Sequence, residues 1–344
     1  MLKTFKGGLH IHDYKQYTNN IPVREIEPGS VYVFPLQQHI GAPLEPTVQK
    51  GDYVKVGDVI ADNKEAFVAV PLHSSVSGTV VAVEPRLHTS GVKVLSVVIE
   101  NDGKFIVNEE LKPKNPDTMS PDEIKQAIRN AGIVGMGGAG FPTHVKLSPP
   151  KDKNIDVLVI NGAECEPYIT SDHRRMLELP EAIIDGIRIV KKALGVEVAY
   201  IGVENNKKDA IKVLNSKIDD DSKIKVVPLK TKYPQGGEKQ LIYAITKRKV
   251  PTGGLPADIG VVVTNIDTVS QISNAFRTGI PLIDRIVTVS GDCIKEPSNF
   301  LVRCGMQFED VIKAAGGFSK EPKKLIMGGP MMGIAQYSTE VPLV

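Results

Sequence analysis

Cysteine is scarce in this chain: Cys165, Cys293 and Cys304 are the three among 344 residues, and none stands in a C-x-x-C arrangement. Neither a thiolate zinc site nor a four-cysteine iron–sulfur cluster can be built from them. Long hydrophobic runs are missing as well. Val157 to Ile160 and Gly260 to Val263 fall far short of the ~20 residues that cross a bilayer, and the opening MLKTFKGGLH holds no signal-peptide core. The chain therefore reads as cytoplasmic, or as held at a membrane only through partners. Charge of one sign is not in excess, since 42 Lys and Arg face 40 Asp and Glu, and aromatic residues make up 5%. With no field to draw in a polyanion and few rings to stack on bases, nucleic acid is not expected as a partner. The histidines are scattered. His10 and His12 would share one strand face without a carboxylate companion, which reads as a surface pair, so no metal site is expected.

What is present suits two or three domains, with 41% hydrophobic residues to fill their cores. From Val31 to Ile99 short β-branched segments broken by Gly, Pro and Asp indicate a small all-β unit. Its pattern, KGDYVKVGDVIA followed by PLHSSVSGTVVAVEP, resembles the half-repeats of a lipoyl or biotinyl carrier domain, a barrel-sandwich hybrid. Counting six residues back from Pro71, to where such carriers hold the modified lysine, gives Glu65 with Lys64 beside it; a structural or docking barrel without an attached group is the favoured reading. After the polar link near Lys112 to Pro121 the period changes. Ser120 and Glu123 form a capping box for a helix through Asn130. Strand and helix then alternate from Asp156 to Phe276, as expected of an α/β domain with a mainly parallel sheet. Two strands, a helix and a strand between Arg285 and Gly333 suit a small β-grasp module. The expected domains are residues 1–112, 113–284 and 285–344.

The chemistry concentrates in GMGGAGFPTHVK, Gly135 to Lys146. Gly135, Gly137 and Gly140 satisfy G-x-G-x-x-G, but a Rossmann turn needs a strand immediately before it and a helix opening within it. Here a helix and the link AGIV precede, and Pro142 follows. The physical content survives: around Gly137, Gly138, Ala139 and Gly140 the backbone can wrap closely about a flat or anionic ligand and offer N–H groups to phosphate. Lys146 follows as a counter-charge. A flexible interdomain loop would also be glycine-rich, yet Phe141-Pro142 stiffens this one. A second cluster, Asn161-Gly162-Ala163-Glu164-Cys165-Glu166-Pro167, lies at the carboxyl end of the first sheet strand, where open α/β sheets bind ligands; otherwise Glu164 and Glu166 are solvated loop charges.

GxGGAGFPTxxK followed by a strand and N-G-A-E-C-E-P resembles the flavoprotein that receives NADH in respiratory NADH dehydrogenase, and more closely the C subunit of the Rnf electron-transport complex. The closer resemblance runs along nearly the whole chain, through FKGGLHIHDYK, the carrier-like barrel, YPQGGEKQL and the terminal β-grasp module of soluble-ligand-binding type.

The resemblance implies FMN as cofactor and NAD(H) as substrate. Gly135, Gly137, Gly138, Ala139, Gly140 and Lys146 would hold the FMN phosphate and ribityl chain, with Asn161 at the strand end and Asn265 and Thr268 on the phosphate side. Glu238 would belong to the loop over the flavin. Glu164 matches a carboxylate at the flavin's reactive edge and is the candidate catalytic residue. Phe141 would stack on the dinucleotide's adenine, and Glu166 would bind its ribose. Ala163 and Lys239 replace acidic residues of the dehydrogenase relatives, and Tyr233 stands one residue farther from Gly237-Glu238 than theirs. Carboxylates at the ribose favour NAD over NADP. Membrane subunits and iron–sulfur partners on the cytoplasmic side of the membrane are expected. Two 4Fe–4S clusters are expected in a cysteine-rich segment following the β-grasp module, and a chain ending in STEVPLV reads as shortened before it. Two other readings are a cobalamin reductase of similar architecture and a cofactor-free scaffold such as the A subunit of sodium-pumping quinone reductase.

Overall fold

The computed structural model describes residues 2–344. The β-branched segments at the start become β1 (Arg24–Glu25), β2 (Val31–Pro35), β3 (Glu45–Pro46), β4 (Tyr53–Val54), β5 (Val59–Asp62), β6 (Leu72–His73), β7 (Gly78–Leu87) and β8 (Lys93–Asn101). Apart from β1 they form two antiparallel sheets, in the orders β2-β8-β7-β4 and β3-β5-β6. Side chains alternate across a strand with period two, so Tyr32 and Phe34 lie opposite Ile99 and Val97 on the inner face. This is the barrel-sandwich hybrid expected from the half-repeats. The stretch before β1 differs from expectation. His10 and His12 lie in irregular backbone, tied down by an isolated bridge from Leu9 to Tyr233 after two glycines of positive φ, and His12 packs edge-on against Tyr14.

The middle of the chain supplies α1 (Pro121–Asn130), α2 (Thr143–Lys146), β9 (Val157–Gly162), α3 (Ser171–Glu178), α4 (Pro180–Leu194), β10 (Val198–Glu204), α5 (Lys208–Asn215), β11 (Ile224–Leu229), α6 (Glu238–Thr246), β12 (Val261–Asn265) and α7 (Ile266–Thr278). The capping box at Ser120 and Glu123 starts α1, with Ser120 N donating to Glu123 Oε2 at 2.7 Å. The four strands run parallel in the order β11-β10-β9-β12. Helices cover both faces, so the strands are apolar on both sides. Leu158 and Ile160 enter a core with Ile183, Ile187 and Val269 of α4 and α7; Val157 and Val159 enter another with Leu241 and Ile245 of α6. Helices α4 and α7 approach so closely at Gly186 that a Cβ there would lie 1.8 Å from Val269 O.

The last part contains β13 (Asp284–Val289), β14 (Ser298–Arg303), α8 (Phe308–Ala314), β15 (Leu325–Met327) and β16 (Ile334–Gln336). β13 and β14 are antiparallel, and β1 joins the other edge of β14 in parallel. Phe300, Val302, Phe308 and Val311 share one hydrophobic cluster with Tyr32, Phe34, Val97 and Ile99. The barrel and the C-terminal module, remote in sequence, thus pack as one body. Among the described residues no helix is long and apolar enough to cross a membrane.

Candidate functional site

Three loops converge at the carboxyl ends of β9 and β12. The glycine segment is closed on itself, since Val134 bridges to Pro142 and Gly135 N donates to Phe141 O at 2.9 Å. Its two sides are anchored to different elements: Met136 N donates to Thr268 Oγ1 at 2.9 Å, and Ile40 N of the barrel region donates to Gly140 O at 3.3 Å. Gly138 and Gly140 have φ of +124° and +59°, the left-handed region that glycine occupies without strain. A Cβ on Gly138 would meet nothing within 4 Å, so that face of the loop is open, and Ala139 is exposed at the tip. A Cβ on Gly137 would lie 3.3 Å from Asn265 Cβ. The short helix α2 begins only after Pro142 and carries Lys146.

Asn265 caps α7. Its Oδ1 accepts from Asp267 N and Thr268 N at 2.7 and 3.2 Å, while Nδ2 donates to Asp172 Oδ2 at 2.8 Å. Asn161 works likewise at the end of β9: Nδ2 donates to Gly236 O at 2.8 Å and Oδ1 accepts from Ala163 N at 3.2 Å. That contact lays the loop before α6 over the strand end. Glu238, which opens α6 rather than standing in the loop before it, pairs with Lys146 at 3.0 Å and links α6 to the end of the glycine segment; both side chains are more than a third exposed.

In the turn after β9, Glu164 adopts φ +51° and its side chain is 3% exposed. Oε1 accepts from Asp172 N at 2.7 Å, and Oε2 stands 3.8 Å from Lys15 Nζ. Burial, then the charges of Glu164 and Asp267, push the Asp172 carboxyl well above the usual carboxylate range. Glu166 turns toward the C-terminal module, where Oε2 accepts from Met331 N at 3.1 Å. Phe141 is half-buried at the end of the glycine loop.

Two buried lysines complete the turn and were not singled out from sequence. Lys207 is 1% exposed and donates to Ala163 O at 2.7 Å and Asn206 Oδ1 at 3.2 Å, with Glu204 Oε2 at 3.7 Å. Lys15, which opens a short 3-10 turn (Lys15–Tyr17) before β1, donates to Glu166 O at 2.9 Å and to Ile169 O. Burial pulls the Lys15 ammonium below its ordinary pKa, opposed by Glu164. The position of Lys207 just past β10, at the ligand-binding end of the sheet, was a usable signal; nothing local to Lys15 was. Glu164 is therefore buried beside the Lys15 ammonium, while Glu166 is half-buried with its backbone carbonyl held by Lys15 and its carboxylate by Met331 N, so neither is left as a solvated loop charge.

Family models match along the chain: the RnfC barrel sandwich hybrid domain at residues 3–104, the Nuo51 FMN-binding domain at 128–274 and the SLBB domain at 286–335. The C subunit of the Na+-translocating ferredoxin:NAD+ oxidoreductase complex of Acetobacterium woodii is 50% identical over 342 residues, spanning 99% of this chain and 77% of that protein. The C subunit of the proton-translocating ferredoxin:NAD+ oxidoreductase complex of Clostridium ljungdahlii is 51% identical over 346 residues, spanning 100% and 75%. Among solved structures, a chain of an NAD+-reducing NiFe-hydrogenase in the H2-reduced state superposes with a TM-score of 0.52 at 21% identity, covering 70% of this chain and 50% of that one, a likeness of fold alone.

Proposed function

The chain belongs to the RnfC family, the C subunits of Rnf-type ion-translocating oxidoreductase complexes, and from that premise we propose that it is an electron-entry module that binds FMN in the Gly135 to Lys146 cradle and exchanges hydride with NADH. The carrying observation is the cradle itself: a closed glycine loop at the strand ends, open above Gly138, with Lys146 at its far side. Backbone N–H groups of that loop and the Lys146 ammonium suit a phosphate. Gly135, Gly137, Gly138, Ala139 and Gly140 would line the phosphate and ribityl chain, with Asn161, Asn265 and Thr268 fixing the floor and Glu238 the covering loop.

FMN, when bound, supplies the hydride chemistry and the conversion to single electrons. The protein's part is to hold the two flat rings in register and to keep water out, which calls for no acid, base or nucleophile. Glu164 would act as a fixed charge at the flavin edge, because its carboxylate is locked by Asp172 N and Lys15. Phe141 would stack on adenine and Glu166 would take the ribose hydroxyls, where a 2′-phosphate would meet like charge, hence NADH over NADPH. Iron–sulfur partners of the complex would accept the electrons, with the chain peripheral on the cytoplasmic side.

The test is a fluorescence titration with FMN, followed by stopped-flow observation of the flavin band after NADH or NADPH is added. Saturable FMN binding and faster bleaching by NADH are expected. A chain that binds no FMN refutes the cradle, and bound FMN that neither nucleotide bleaches refutes hydride exchange.

A further inference from the structure

The C-terminal module reaches into the strand-end cluster through one tight turn, MGGPMMG, residues 327–333. Gly328 has φ +87° and Gly333 N donates to Gly329 O at 2.7 Å, which folds the turn on itself. Glu166 lies directly against it. Met331 N donates to Glu166 Oε2 at 3.1 Å, and a Cβ added to Gly329 would stand 2.0 Å from Glu166 Oε2 and 2.4 Å from its Cδ. Only glycine leaves room for a carboxylate at that place. The other oxygen, Oε1, is buried with no hydrogen-bond partner, and a buried carboxylate oxygen lacking a donor is unfavourable until one is supplied. Beside this contact the turn presents Met331 and Met332, 42% and 77% exposed, flexible thioether side chains suited to pack on a ring.

We infer that residues 329–332 form a second wall of the dinucleotide site: the Met331 amide positions the Glu166 carboxylate so that its unpartnered oxygen receives a ribose hydroxyl, and Met332 covers the ligand. This rests on the proposed dinucleotide binding and assigns the C-terminal module a direct role in it. The turn is a positioning device, acting on ligand through Glu166.

The experiment uses the chain loaded with oxidised FMN and titrated with NAD+, a pair that does not react, followed by calorimetry. Gly329→Ala pushes turn and carboxylate apart, and NAD+ affinity should fall about tenfold, the scale of one lost charge-assisted hydrogen bond, while FMN affinity stays within about twofold. In a Glu166→Gln background the same change should weaken NAD+ by less than about twofold, because two residues acting through one contact are not additive. Met332→Ala alters an exposed side chain, and the loss expected is about threefold, in the range of one thioether–ring contact. It carries the test if Gly329→Ala does not fold. Unchanged NAD+ affinity in the variant that folds overturns the inference, as does an equal loss in the Glu166→Gln background. No saturable NAD+ binding by the unaltered, FMN-loaded chain overturns the dinucleotide reading itself and the inference with it.

Discussion

Replacing Lys207 by Met should destabilise the flavin-type domain by about 3–5 kcal/mol, the usual effect of removing one partner of a buried ion pair. The figure follows from the surroundings. Lys207 and Glu204 are each 1% exposed and 3.7 Å apart. Glu204 already sits above its ordinary pKa because burial outweighs the attraction of Lys207. Without the lysine the carboxyl is pushed further up, so its charged form is left buried without a counter-ion as pH rises, and Ala163 O loses its 2.7 Å donor. A folded pKa above the unfolded value means stability that is present at low pH and lost as pH rises through the folded value. The deficit should therefore be smaller at pH 5 than at pH 8. Adding Glu204→Gln removes the unpaired charge and should recover part of the loss at pH 8, leaving the orphaned carbonyl. Urea unfolding at both pH values measures each arm, against a total of about 5–15 kcal/mol for a typical domain. A single-variant deficit under about 1 kcal/mol, or a double variant no more stable than the single one at pH 8, refutes the account of Lys207 as the buried counter-ion under the turn.

Asp172→Asn should flatten the dependence of stability on pH: the native carboxyl, held well above 3.8 by burial and by Glu164, makes the unaltered chain lose stability as pH rises through that raised value. Equal slopes of urea midpoint against pH for the two proteins would contradict this. Gly186→Ala places a methyl 1.8 Å from Val269 O and should lower stability by about 1–3 kcal/mol or more through overpacking at the α4–α7 crossing; an unchanged urea midpoint would show that the helices separate freely. Lys146→Gln should weaken FMN about tenfold through loss of a charge-assisted hydrogen bond. Its half-exposed pair with Glu238 contributes only about 0–1 kcal/mol, so thermal stability should barely move, and a large fall in melting temperature would assign Lys146 a structural role instead.

Local pattern was sufficient for the architecture. The β-branched segments broken by Gly, Pro and Asp, the capping box at Ser120 and the strand–helix rhythm from Asp156 to Phe276 are properties of neighbouring residues, and each reappears as a strand, a helix start or a parallel crossover. The tight glycine loop was legible for the same reason: Gly138 and Gly140 stand at positive φ. His10 and His12 misled because irregular backbone after Gly7 and Gly8 leaves no periodic signal to contradict a strand.

What local pattern could not decide was which distant groups meet. Lys15 lies 149 positions before Glu164 (164 − 15) yet stands 3.8 Å from it. Asn265 looked like a ligand-facing amide and is engaged in capping α7 and holding Asp172. Gly329 carried no functional signal until Glu166 was seen packed against it. Much of the backbone conformation is set by forces within a few residues, so sequence alone determined most of the elements, the fold class and the tight turn of the glycine loop. Burial of charge and the packing of the C-terminal module against the strand ends arise from long-range contacts, and only the tertiary structure decided those.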